Sequence, residues 1–179
     1  MQYNVAQLLK APVGANRVYT VDEPFGPTED VPFAGNVQGT VRLTRVNNGV
    51  VADAHLHAPL TLECSRCLEP FVADLDLSLV ERFVSTYDVH TGIPVHEVEE
   101  DEDDEDVYTL DAHHELDLHE AVRQQAVINT PMKPIHRPDC AGLCPICGGN
   151  RNEQPCACQD TPPVDPRLEA LRRLLQPAP

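Results

Sequence analysis

Seven cysteines in a chain of 179 residues fall in two places. A C-x-x-C pair, Cys64 and Cys67, sits within ECSRC, and Cys140, Cys144, Cys147, Cys156 and Cys158 crowd into CAGLCPICGGNRNEQPCAC. A C-x-x-C turn aims two thiolates at one point, and four donors drawn from Cys and His complete the tetrahedral shell of a structural zinc. Cys64-Ser65-Arg66-Cys67 and Cys144-Pro145-Ile146-Cys147-Gly148 both have this knuckle form. Gly148 reads as the residue that lets the backbone turn under the second sulfur, where a side chain would crowd it. Seven cysteines leave two four-ligand sites one donor short, and His136, just ahead of Cys140, is the obvious eighth. In one partition Cys144, Cys147, Cys156 and Cys158 make a compact tail site. Cys64, Cys67, His136 and Cys140 then make a second site that bridges distant parts of the chain and staples the late segment to the sheet. A rival partition closes the tail alone with Cys140, Cys144, Cys147 and one of Cys156 or Cys158.

Other uses of the cysteines fit less well. The N-terminal stretch MQYNVAQLLKAPVG lacks the basic flank and apolar core of a secretory signal, and no window approaches the roughly 18 uninterrupted apolar residues of a membrane span. A cytoplasmic protein is therefore expected, with reduced thiols, and an odd cysteine count leaves a disulfide framework incomplete. A thioredoxin-like redox pair should open a helix, whereas CSRC precedes an alternating, strand-like run. CPICG also has the look of an iron knuckle of rubredoxin type, so iron is the minor alternative to zinc in the tail site. His55 and His57 share one strand face and are read as ordinary surface histidines. The chain has no Gly-rich phosphate loop, nucleophile elbow or H-E-x-x-H helix, and four-ligand metal sites leave no open position for a substrate. A non-enzyme with no small-molecule substrate and no membrane partner follows.

The elements that must position these residues are legible in the hydrophobic period. Val37, Gly39, Val41 and Leu43 alternate with polar residues; Asn48-Gly49 is a hairpin signal; Val50, Ala52, Ala54, Leu56, Ala58, Leu60 and Leu62 then hold a strict period of two. Pro59 marks a bulge or an edge where no ladder donor is needed. A third strand carries Phe71, Ala73, Leu75, Leu77 and Leu79 and runs on to about Phe83, so that CSRC lies at the turn joining the second and third strands. Residues 1–36 give no clear element beyond 3–10. A helix is expected at about 116–129, with Asp117 as N-cap, Glu120 closing a capping box and Pro131 and Pro134 as stops. DPRLEALRRLL near the C-terminus reads as a short helix capped by Asp165, with Leu168, Leu171, Leu174 and Leu175 on one side. The expected fold is α+β: an antiparallel β meander, a packed helix and a zinc-stapled Cys-rich tail. The expected organisation is a sheet domain over 1–130, a metal-binding segment over 131–160 and a closing helix and tail over 161–179.

Charge is uneven. Of a formal net −16, nine carboxylates lie in the ten residues 97–106, EVEEDEDDED. That run reads as a solvated loop, or as a polyphosphate mimic for a basic partner. A pI near 4.7 argues against binding nucleic acid by bulk electrostatics. Arg66, Lys133, Arg137 and Arg151 near the cysteines could still form a local basic patch, and a zinc knuckle presenting Arg can recognise single-stranded RNA.

TLECSRCLEPF at 61–71, the LDLHEAV helix, INTPMKPIHRPDCAGLCPICGGNRNEQPCAC at 128–158 and the closing DPRLEALRRL together resemble the YceD-type family of bacterial large ribosomal RNA subunit accumulation proteins. Many relatives carry Cys where this chain has His136, an exchange that keeps a zinc ligand. Some branches keep the first C-x-R-C pair and lack the cluster from Cys144 to Cys158, which makes the tail zinc an accessory stabiliser. The resemblance implies a ribosome-biogenesis role, sustaining accumulation of 23S rRNA, beside genes for a large-subunit ribosomal protein. The partner is then pre-rRNA or a pre-ribosomal complex engaged through the knuckle face. The alternative is an acidic adaptor or chaperone for a basic large-subunit ribosomal protein.

Overall fold

The computed structural model of the protein describes residues 1–26, 28, 30–94, 108–154 and 156–158. The protein is mostly β-sheet with few helices. In chain order the elements are β1 (Gln2–Asn4), α1 (Ala6–Leu9), β2 (Asn16–Pro24), β3 (Asn36–Val46), β4 (Gly49–Glu63), β5 (Pro70–Ser85), β6 (Tyr108–Leu110), β7 (Glu115–Asp117) and α2 (His119–Asn129). The strands β2-β3-β4-β5-β6 make a five-stranded sheet, and β1 pairs with β7 in a separate ladder. Residues 1–62 and 70–134 form one compact unit, and 63–69 with 135–179 form a second. Among the described residues no helix is long and apolar enough to cross a membrane.

Period-two burial builds the first unit. Val50, Ala52, Ala54, Leu56, Ala58 and Leu60 on β4 are buried with Val37, Val41 and Leu43 on β3 and Leu77, Leu79 and Phe83 on β5. Burying each large side chain is worth about 1.5–3 kcal/mol, so the β3–β5 meander holds most of this unit's driving force. Two details differ from expectation. The two-residue connection between β3 and β4 is Asn47-Asn48, because Val46 pairs with Gly49. Gly49 is required for another reason: a Cβ there would lie 1.9 Å from the Phe83 carbonyl oxygen. The sheet also gains two strands. β2 lies antiparallel along β3 from Asn16↔Thr44 to Pro24↔Asn36, and β6 runs parallel to β5, so the sheet is not purely antiparallel.

Pro59 lies past the last β3–β4 pair, Gln38↔His57. There the Ala34 N–H donates to the Pro59 carbonyl and the Thr61 N–H donates to Pro32, both at 2.8 Å, so no ladder donor is missing.

The helix begins later than expected. Residues 115–117 are taken by β7, whose Leu116 pairs with Tyr3 and is fully buried. Leu118 stands at the N-cap without a side-chain cap, while Asp117 Oδ1 accepts the His119 N–H at 2.8 Å. Glu120 closes no capping box; its carboxylate pairs with Arg123 Nη2 at 2.6 Å. The helix does end as the prolines require, on an extended Thr130 before Pro131. The acidic run at 97–106 and the expected C-terminal helix lie outside the described residues.

Candidate metal centres

The connection between β4 and β5 belongs to the second unit, and it folds as a knuckle. The Cys64 N–H donates to the Glu69 carbonyl at 2.9 Å, and the Leu68 N–H donates to the Cys64 carbonyl at 2.8 Å. The tail repeats this pattern. The Cys144 N–H donates to Gly149 at 2.8 Å and the Gly148 N–H to Cys144 at 2.9 Å. In both knuckles the residue after the second cysteine is left-handed: Leu68 at φ 61° and Gly148 at φ 70°. A Cβ on Gly148 would have nothing within 4 Å, so its glycine serves the backbone dihedral and not, as expected, relief of crowding at the sulfur.

Each knuckle delivers two sulfurs to a four-donor group. Ligand atoms of Cys64, Cys67, His136 and Cys140 all lie within 4.8 Å of one another, as do those of Cys144, Cys147, Cys156 and Cys158. The Cys64 and Cys140 sulfurs are 3.9 Å apart, and Cys67 Sγ is 3.4 Å from His136 Nδ1. Tetrahedral zinc with Zn–S near 2.3 Å and Zn–N near 2.0–2.1 Å requires about 3.8 Å between sulfurs and about 3.6 Å between sulfur and nitrogen. Those two pairs in the first group stand close to the spacing such an ion needs, and the donor set suits a borderline-soft ion. All seven cysteines are free thiols. In this structure Cys140 stands with Cys64, and the rival grouping of Cys140 with the tail sulfurs is not formed. The first group is buried apart from a half-buried His136; the second is more open, with Cys147 exposed.

Electrostatics point the same way. Burial raises the Cys64 thiol, but backbone N–H groups of His136, Cys67 and Arg66 outweigh it and bring its pKa down to about 5. Its neighbour Cys67 is pushed up to about 11, by burial and by the adjacent Cys64 and Cys140. In the tail, N–H groups of Cys147 and Ile146 lower Cys144 to about 6, while Cys147, with burial, raises Cys158 to about 12. Each group thus favours one thiolate and penalises the next, which is the behaviour of donors that need a cation to be charged together.

Polar side chains hold the two groups. Arg66 Nη1 donates to the carbonyls of Cys140 at 2.9 Å and Pro138 at 3.2 Å. Arg137 Nη2 donates to Asn152 Oδ1 at 2.7 Å, and Arg151 Nη2 reaches Cys144 Sγ at 3.7 Å. Lys133 belongs to the other unit. Reading the sequence did not single out Asn150, Asn152 or Glu69. Asn152 Nδ2 donates to Cys140 Sγ at 3.4 Å and to Asn150 Oδ1 at 2.8 Å, and Asn150 Nδ2 donates to Glu69 Oε1 at 2.8 Å. The one sequence signal for the asparagines is position, in the loop between the tail's two cysteine pairs, and for Glu69 its place two residues after Cys67.

In the first unit His57 Nδ1 is 3.0 Å from Asp76 and its Nε2 3.6 Å from Asp74, while His55 lies 3.2 Å from Ser78 Oγ. Neither histidine joins a metal-holding group among the described residues. That unit also has a cavity of about 220 Å³ between Leu9, Arg45, Ser85, Tyr87 and His90. Arg45 Nε and Nη1 there are given to the backbone carbonyls of Leu9, Val46, Asn47 and Gly49.

A mostly-β protein whose Cys-rich unit gathers two four-donor groups able to hold metal ions is the class that fold and site define. Residues 52–175 match the family described as Large ribosomal RNA subunit accumulation protein YceD, and the chain belongs to that family. Proteins of Mycobacterium bovis and Mycobacterium tuberculosis, both described as uncharacterized, are 29% identical over 144 residues, covering 76% of this chain and 61% of theirs. A Mycobacterium leprae protein, likewise described, is 27% identical over 137 residues, 76% of this chain and 58% of its own. The chain thus spans about three fifths of the length of these relatives. No solved structure matches it.

Proposed function

We propose that the protein is a non-enzymatic, cytoplasmic ribosome-biogenesis factor that supports accumulation of 23S rRNA and the large ribosomal subunit. It binds pre-rRNA or a pre-ribosomal complex through the face of its second unit, which two zinc ions hold in shape. Cys64, Cys67, His136 and Cys140 bind one ion; Cys144, Cys147, Cys156 and Cys158 bind the other. Zinc supplies no reaction here. It neutralises clustered thiolates and contributes folding free energy to a unit too small for a core of its own.

Charge segregation carries the reading. Residues 63–69 and 135–179 hold six arginines against seven carboxylates, while the rest of the chain holds seven basic residues against twenty-two. An acidic protein thereby carries a segment that is nearly balanced in charge, and its Arg66, Arg137 and Arg151 supply guanidinium groups for phosphate contact. A second reading rests on residues 97–106: nine carboxylates suit an adaptor that holds a basic large-subunit ribosomal protein.

Affinity isolation of the zinc-loaded full chain from cells, with sequencing of bound RNA and identification of bound proteins, tests the first reading. It predicts large-subunit pre-rRNA that remains bound after deletion of residues 97–106 and is lost on Arg137→Glu with Arg151→Glu in protein that still carries the native metal content. Recovery of a basic ribosomal protein without RNA, dependent on residues 97–106, would replace it with the second.

A further inference from the structure

Asn150-Arg151-Asn152 occupies the loop between the two cysteine pairs of the tail group, and its side chains divide between the two centres. Arg151 Nη2 is directed at Cys144 Sγ, 3.7 Å away. The asparagines serve the other group: Asn152 Nδ2 donates to Cys140 Sγ, and Asn150 Nδ2 donates to Glu69, whose other oxygen is 3.6 Å from Cys67 Sγ. Asn150 Oδ1 accepts from both the backbone N–H and Nδ2 of Asn152, at 3.0 and 2.8 Å, so the two asparagines are tied to each other. Backbone bonds tie the loop to the segment just ahead of the first cysteine pair. The Arg151 N–H donates to the Gly142 carbonyl at 2.9 Å, and Leu143 and Asn150 form a β-bridge directly before Cys144.

From this arrangement we infer that the two metal sites are positively coupled, and that Asn150 and Asn152 carry the coupling. The inference rests on the zinc reading above and goes beyond it. Closing the tail site on Cys144, Cys147, Cys156 and Cys158 holds the loop that carries residues 148–154 between two ligand pairs. The asparagine pair is then held ready to donate to the Cys140 and Glu69 acceptors beside the bridging ion. An N–H donor to a metal-bound thiolate spreads its charge and fixes its orientation, and losing such an outer partner typically costs about 10–100-fold in metal affinity. Coupling is reciprocal, so an ion in the bridging site tightens the tail site by the same factor.

The Asn152→Asp variant replaces the donor with a carboxylate oxygen, and Asn152→Ala, titrated beside it, removes the donor without adding charge, so only a weakening shared by both variants counts as loss of the donor. Asn152→Asp keeps an oxygen for the Arg137 guanidinium and the Ala141 N–H, at 2.7 and 2.9 Å in the native chain, and loses the amide that reaches Cys140 and Asn150. The experiment is an anaerobic titration of the metal-free full chain with Co²⁺, whose visible absorption distinguishes a three-sulfur, one-nitrogen shell from a four-sulfur shell. It is run on the native chain, on Asn152→Asp and Asn152→Ala, on Cys156→Ser/Cys158→Ser, and on Asn152→Asp combined with the latter. Native chain is expected to fill both sites, and both Asn152 variants are expected to weaken the three-sulfur site about 10–100-fold. Removing the tail site should weaken the bridging site by a similar factor in the native background and by less than about twofold once Asn152 is Asp. Equal weakening in both backgrounds, or a bridging site indifferent to either Asn152 variant, overturns the coupling and leaves two independent zinc sites. A chain that takes up no Co²⁺ with sulfur ligation overturns the metal reading itself, and the coupling with it.

Discussion

Leu68 holds a left-handed backbone, φ 61°, at the place in its knuckle where Gly148 stands in the other. A left-handed L-residue costs about 1–2 kcal/mol, and glycine gives part of that back through unfolded-chain entropy. Leu68 is 56% exposed, so little packing is at stake. Leu68→Gly is expected to raise stability of the metal-loaded protein by about 0.5–1 kcal/mol in denaturant titration, and Gly148→Ala to lower it by about 1 kcal/mol. A Leu68→Gly protein less stable than the native one would mean that the side chain makes contacts worth more than the strain. Nothing in the order of amino acids announced Leu68 as left-handed, because leucine is no former of that conformation. The cysteines were legible because ligand chemistry restricts both type and spacing. Asn150 and Asn152 were not, since a polar loop residue becomes a sulfur donor only through where the loop goes.

At the scale of elements, the strands legible in the sequence are those with one face sealed. β4 buries Val50, Ala52, Ala54, Leu56, Ala58 and Leu60 in unbroken alternation, and β3 and β5 share much of that pattern. β2 escaped notice because only Val21 of its nine residues is buried, so an edge strand solvated on most positions shows no period. β1, β6 and β7 have three residues each, too few for any period to register. The same ordering predicts energetics: Leu60→Ala, at a fully buried position, should cost about 2–5 kcal/mol. On the solvent side, hydrogen bonding to Asp76 raises the pKa of His57 above its ordinary 6.5, with Asp74 adding to it. This cross-strand pair between β4 and β5 stabilises the fold at pH below about 6.5 and ceases to do so as pH rises through the raised value. An NMR titration should find His57 above 6.5 in the native chain and lower in Asp76→Asn; an unchanged His57 in that variant would assign the shift elsewhere. On α2, the Arg123 guanidinium holds the Glu120 carboxyl down to about 2. The contribution of that pair is present above the ordinary carboxylate pKa of about 4.5 and is lost as pH falls toward 2. Glu120→Gln should flatten that limb of the acid-unfolding curve by a few tenths of a kcal/mol, as expected of an i,i+3 surface pair.

Taken as a whole molecule, the chain divides its tasks. One unit folds on hydrophobic burial and carries most of the acidity; the other gathers eight Cys and His side chains able to hold metal ions from residues 64–67 and 136–158. Burial differs between the two groups, and that sets an order of loss. Cys147 is exposed and Cys156 and Cys158 are half-buried, so a chelator should empty the tail site first, and the bridging site, with three buried sulfurs, last. Loss of the bridging ion ahead of the tail ion would contradict this order of access. Protease sensitivity beyond residue 130 should rise as the ions leave, because their binding free energy is folding free energy for this unit. The most direct test of the account is the metal count of intact protein purified without chelator, read by native mass spectrometry on the native chain, His136→Ala and His136→Cys. The expected result is two zinc ions in the native chain, one in His136→Ala and two in His136→Cys; one ion or none in the fully occupied native chain, or two retained in His136→Ala, would contradict it.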